Sequence, residues 1–233
     1  EQPIAISWDK SLRKIMQKLN EARDWDVFEH EILPDILKKM TSVSEYEPIQ
    51  QATLATIQDI AIKTRQRTQK KLHHIEFTVL ILAIERHLMA LSSHTEMTTK
   101  EHIQQWATKI LEDRWQVLHR CCQGLTTQTG AKRHQARIAA KKMRYAADTL
   151  FSLFNRKNPQ RFTEMLANLQ DELGYTNDRR VALQLLQQVA QKKGSAAFDL
   201  GRFSGTLEIE TLQREHQSSD AWRSLSRMKL FWR

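Results

Sequence analysis

Six glycines and four prolines in 233 residues leave this chain few places to turn sharply. Both residues are far scarcer than in ordinary domains, which argues against β-sandwiches, hairpin-rich sheets and Gly-rich phosphate loops. Leu, Gln, Ala, Lys, Arg and Glu, all good helix formers, are abundant instead. The expected fold is therefore all-α, with long helices joined by short turns. The length suffices for one large domain with its own core.

Local signals divide the chain into helices near 8–19, 24–39, 45–70, 72–92, 99–123, 131–155, 159–173, 178–193, 196–217 and 219–230. Ser44 with Glu47, and Thr98 with Glu101, form capping-box patterns that satisfy orphan backbone donors. Asn158 before Pro159 reads as a helix start, and Gly174 and Gly194 suit the left-handed position past a helix end. Pro34 is expected to end or kink the second helix. The longest apolar run, FTVLILAI at 77–84, is too short for a bilayer and reads as a buried core helix. No membrane partner is expected.

A faint repeat relates LNEARDWDV (19–27) to LGYTNDRRV (173–181) at an offset of 154. It aligns Leu19 with Leu173, Asp24 with Asp178 and Val27 with Val181. In each copy the pattern predicts a helix end, a turn, and an Asp that opens the next helix, where a carboxylate complements the dipole.

The formal charge of +9 points to a polyanionic partner. Its densest stretch is RHQARIAAKKMRYAADTL (133–150), which carries Arg133, His134, Arg137, Lys141, Lys142 and Arg144. At about 100° per residue, His134, Arg137, Lys141 and Arg144 share one side of a helix. Ala139, Met143, Ala146 and Leu150 lie roughly opposite. Like charges at i,i+4 destabilise a helix by a few tenths of a kcal/mol each, so a stripe of this kind is more easily understood if something negative sits on it. A second stripe joins Lys63, Arg67, Lys70 and His74, and a weaker one pairs Lys109 with Arg120. The two main stripes are expected to line one anion-binding groove.

Catalytic and metal signals are weak. His73, His74 and Glu76 lack the H-E-x-x-H order of zinc hydrolases. Asp24 and Asp26 offer oxygens to magnesium, but capping accounts for Asp24 without an ion. No Walker loop is present, and Cys121 near His119 makes no convincing nucleophile pair. No cofactor and no metal are expected. Adjacent Cys121 and Cys122 cannot easily close an unstrained disulfide, which suits a reducing, cytoplasmic location.

Residues 134–145 read H-x-x-R-I-x-x-K-K-x-R-Y, a pattern that resembles the signature of the CHAD family, an α-helical domain named for its histidines. LGYTNDRRVALQLL (173–186) and LNEARDWDVF (19–28) resemble that family's two hairpin turns, and AWRSLSRMKLFW (221–232) its C-terminal helix. The resemblance implies two pseudo-symmetric antiparallel helical bundles, about 1–95 and 96–233, with a basic groove or channel between them. It also implies a non-catalytic binding module for inorganic polyphosphate, cytoplasmic and associated with polyphosphate granules. The phosphate contacts it implies are His134, Arg137, Lys141 and Arg144, then Lys142 and Tyr145, with Arg227 and Lys229 near the end. The offset of 154 would place the counterpart of the 134–145 helix ahead of residue 1, so the first bundle is expected to lack its first helix. Two alternatives stand beside this reading. One is a nucleic-acid-binding helical protein, although no helix-turn-helix, zinc-finger or RNA-recognition motif is visible. The other is an accessory domain of a triphosphate- or polyphosphate-metabolising enzyme. The six tryptophans are spaced as core anchors rather than as stacking platforms.

Overall fold

In the computed structural model, the described residues are 2–40, 47–72, 75–92, 99–125, 130–154, 159–192 and 197–233. They form eight α-helices and no strand: α1 (Gln2–Val27), α2 (Leu33–Met40), α3 (Glu47–Leu72), α4 (Ile75–Ser92), α5 (Lys100–Cys122), α6 (Gly130–Leu150), α7 (Pro159–Lys192) and α8 (Ala197–Ser226). The fold is all-α, as the composition requires. Among the described residues no helix is long and apolar enough to cross a membrane.

Several predicted breaks are absent because helix propagation outweighs a single weak residue. Gly174 and Asp178 lie inside α7, and Asp24 lies inside α1, so neither repeat copy is a turn and neither Asp caps a helix. The predicted break near residue 218 is also absent, since α8 is continuous through it. Pro34 does not end its helix. A π-helical turn at Phe28–Ile32 precedes it, with the Leu33 N–H bonded to the Phe28 carbonyl. Widening by one residue makes room for a proline ring that crowds the carbonyl four residues back and offers no N–H. The cap of α5 is Thr99 rather than Thr98, its hydroxyl accepting from the His102 N–H at 3.4 Å. Ser44, Asn158 and Gly194 lie outside the described residues.

The chain divides into two compact units. The first comprises 1–96 and 181–207, the second 97–180 and 208–233. This differs from the expected split near residue 95, because the end of α7 and the start of α8 group with the first unit.

The first unit closes around Trp25, Phe28, Ile36, Ile57, Leu186 and Phe203. Arg65 of α3 bonds Asp26 at 2.6 Å and also pairs with Glu29, and Thr53 donates to Asp199 at 3.2 Å. The run FTVLILAI is not buried as expected. Val79, Ile81 and Leu82 are exposed, and no described α4 residue joins this core. An all-round apolar run carries no phase to say which side meets a neighbour.

The second unit packs α5 against α6 through Leu111, Trp115 and Leu118 on one helix and Ala136, Ala140 and Met143 on the other. Trp115, Phe162, Phe231 and Trp232 form an aromatic cluster with ring centroids 4.9–6.2 Å apart. Glu112 accepts from Trp232 Nε1 at 3.2 Å and from Arg233 Nε at 2.9 Å, which fastens the chain end to α5. Both cysteines are free, and burial pushes the Cys122 thiol up to about 12, so it stays protonated.

Arg133 departs from the cationic stripe beside it. It is buried, donating to the Leu125 carbonyl at 3.0 Å and to Ser218 Oγ at 2.9 Å. It therefore ties the turn after α5 and the C-terminal half of α8 to α6.

Four outcomes follow. Arg133→Ala should destabilise the protein by about 2–4 kcal/mol in urea unfolding, because it strands buried acceptors. Lys142→Ala, at an exposed neighbouring position, should stay within about 0.5 kcal/mol. Gly174→Ala should stabilise the protein by about 0.5–1 kcal/mol, whereas a left-handed cap would give the opposite sign. The fourth concerns Glu112, whose carboxyl the Arg233 guanidinium holds down at about 2. Its contribution is complete above the ordinary carboxylate range and fades as pH falls towards 2. The melting-temperature gap between wild type and Glu112→Gln should thus be widest near neutral pH and close on acidification.

Candidate anion-binding site

The alanine seam of α6 fixes where its charges point. Ala136, Ala139, Ala140, Met143 and Ala147 are buried. His134, Arg137, Lys141 and Arg144, one helical side away, are half-buried, whereas Lys142 and Tyr145 are exposed. The 3–4–3 row read from the sequence is therefore a boundary row rather than a fully solvated face. Arg144 Nε is buried with no hydrogen-bond partner. The Tyr145 ring lies 5.7 Å from Lys141 Nζ and 5.8 Å from the Arg144 guanidinium carbon, within cation–π range of both.

The other wall comes from α7. Asn177 Oδ1 lies 3.0 Å from His134 Nδ1 and accepts from Arg180 Nη2 at 3.3 Å. The Asn177 amide donates to Asp178 Oδ1 at 3.2 Å, and the same oxygen lies 3.8 Å from Arg137 Nη2. Arg137 Nε passes 3.9 Å from where a Gly174 Cβ would sit. The hairpin-like motif thus serves as a continuous helical wall: Gly174 lies beside Arg137, Asp178 approaches its guanidinium, and Asn177 holds His134. Four permanent cations (Arg137, Lys141, Arg144 and Arg180) are accompanied by a single carboxylate, Asp178, among these contacts.

A family model for the CHAD domain matches residues 2–187. The chain belongs to the CHAD domain family. The crystal structure of the CHAD domain from the plant Ricinus communis resembles it with a TM-score of 0.78 at 23% sequence identity. That likeness, which is one of fold, covers 96% of this chain and 73% of the plant chain. No curated protein matches it.

In this CHAD domain the remaining predicted residues lie on other elements. Lys63, Arg67 and Lys70 are exposed on α3 in the first unit, with Lys63 paired to Asp59 at 2.7 Å. His74 lies outside the described residues. Lys109 on α5, and Arg227 and Lys229 after α8, are exposed in the second unit. No described hydrogen bond or ion pair joins these three to the α6 row.

Asn177 and Arg180 were not among the sequence candidates. Their signal was present as an Asn three residues before an Arg, a helical i,i+3 pair, but it is legible only once 173–181 is taken as helix. The adjacent Arg179 has a different task. It is buried, donates to Glu210 at 2.9 Å and lies 3.2 Å from the Tyr175 ring centre. Tyr175 also donates to Glu210 at 3.2 Å, and burial pushes its phenol up. Arg214 approaches the same ring at 4.1 Å while pairing with Glu172 at 3.5 Å. Neighbours on a helix point about 100° apart, so one arginine of the pair builds the α7–α8 contact and the other faces Asn177.

Proposed function

We propose that this CHAD domain binds inorganic polyphosphate, without turning it over, along the α6 row His134, Arg137, Lys141 and Arg144, with Arg180 beside it. The observation that carries this is the row itself: half-buried cations in helical register with a single carboxylate among their described contacts. Polyphosphate has roughly one charge per phosphate and no bases to read, so matched charge and donors must supply recognition. The row rises about 4.5–6 Å per step, a pitch an extended anion can follow. Arg137 and Arg144 offer forked donors, and Lys141 a compact charge. An anion drawn to the other donors of Arg144 would offset the cost of its unpartnered Nε. The resemblance of 134–145 to the family signature supports the same ligand, and an association with polyphosphate granules would follow from it. Nucleic acid is the second reading: Trp25, Trp115 and Trp232 are buried in the two cores, where they cannot stack on bases, whereas Trp106, read from the sequence as a core anchor, is exposed on α5.

Titration with polyphosphate at several salt concentrations tests the reading. Affinity should fall on a log–log plot with a slope of about −3, as four neutralised phosphates of a single strand would give. Arg137→Glu/Lys141→Glu/Arg144→Glu should weaken binding at least about 100-fold, roughly 2.7 kcal/mol, while helical circular dichroism is unchanged. Unaltered affinity in that variant, or sustained release of phosphate by the wild type with magnesium, would overturn the proposal.

A further inference from the structure

The hydrogen bonds around Asn177 settle more than its own position. An arginine can only donate and an ionised carboxylate can only accept. With Arg180 Nη2 on one side at 3.3 Å and Asp178 Oδ1 on the other at 3.2 Å, the Asn177 amide has one sensible orientation: oxygen towards Arg180, nitrogen towards Asp178. The reverse would set donor against donor and acceptor against acceptor. That oxygen is the atom 3.0 Å from His134 Nδ1, so Nδ1 must carry a hydrogen. A neutral imidazole has only one N–H, which leaves Nε2 as a bare lone pair.

We propose that Asn177 is a positioning residue that commits the single proton of neutral His134 to Nδ1, so that the ring can donate to a phosphate oxygen only after Nε2 takes a proton from solvent. Polyphosphate binding is then coupled to uptake of one proton. This rests on the polyphosphate reading above and adds its regulation. With Nε2 bare, the ring presents an acceptor to an acceptor and opposes the ligand. With Nε2 protonated, it adds a fifth cation and a donor to the same row. The charged groups beside the ring are Arg137, one turn on along α6, and, across Asn177, Asp178 and Arg180 on α7. Every one of them except Asp178 is a cation, so an arriving polyanion relieves the repulsion that a protonated ring would meet.

The test uses the full chain and long-chain polyphosphate, whose internal groups stay ionised throughout, at fixed ionic strength. Wild-type affinity should fall with rising pH, by up to about tenfold per pH unit at its steepest. His134→Gln should bind more weakly at low pH and show no such fall. Asn177→Leu should flatten the profile, because the neutral ring is then free to carry its proton on Nε2 and donate. Asn177→Asp, which can still accept from Nδ1, should keep a pH-dependent profile and move it to higher pH. Independently of ligand, nitrogen-15 NMR at pH 8 should show His134 protonated on Nδ1 in the wild type and on Nε2 in Asn177→Leu. A wild-type profile as flat as that of His134→Gln, or an Nε2-protonated wild-type ring, would overturn the proposal. Absence of polyphosphate binding at every pH would instead overturn the ligand reading, with the NMR result still reporting on Asn177.

Discussion

The seam of alanines beneath α6 is the constraint from which the candidate site derives. Small side chains at Ala136, Ala139 and Ala140 give α5 and α6 a flush apolar contact, which fixes the rotation of α6 about its axis. Once that rotation is set, the periodicity of the helix leaves no freedom for the cations: positions three and four apart must share the adjoining side. Arg133 secures the same rotation from the start of the helix. Its guanidinium reaches both the turn after α5 and the C-terminal half of α8. A residue that adds to the apparent charge of the stripe thus works as a bracket for it.

The charge density of α6 is tolerated because α7 answers it selectively. A full set of carboxylates opposite the row would neutralise it and leave nothing for a ligand. Among the described contacts Asp178 is the carboxylate that approaches, and at 3.8 Å from Arg137 it is a loose ion pair rather than a close one. Asn177 satisfies hydrogen-bonding groups without cancelling charge, and Arg180 adds to the positive total. By contrast, the other side of α7 sets cation against carboxylate, Arg179 with Glu210 and Arg214 with Glu172, around Tyr175. The same helix therefore carries one face whose charges are matched for packing and another where they are left in excess.

What could be read in the sequence was whatever depended on period alone. The 3–4–3 spacing from His134 to Arg144, the opposing Ala139, Met143 and Leu150, and the helical class all follow from residue types at fixed angular steps, and the structure keeps them. Readings that required a helix to stop fared worse. Gly174 disfavours a helix by about 1 kcal/mol, but that is a small term beside the burial of Phe162, Leu166, Leu169 and Leu173 before it and of Ala182, Leu185 and Leu186 after it. Asp24 and Asp178 look like caps to a local reading for the same reason. A cap is identified by what its side chain bonds, and Asp178 bonds the Asn177 amide within a continuous helix. Arg133 shows a further gap, since burial of a guanidinium depends on acceptors 8 and 85 residues away, beyond any periodic signal.

Continuity of α7 is also what gives the site its definition. A turn at 174–178 would leave Asn177 and Asp178 on a loop, where backbone motion would blur the hydrogen bonds that orient His134 and Arg137. Held inside a helix packed at both ends, their side chains keep a fixed angular relation to each other and to Gly174, which lies one turn before Asp178 beneath Arg137. A polyanion reads spacing before it reads chemistry, so the rigidity of the wall matters as much as the identity of the cations. The glycine whose natural reading was a stop is, in the folded chain, one more helical residue beside Arg137, and the wall owes its definition to the helix running on through it.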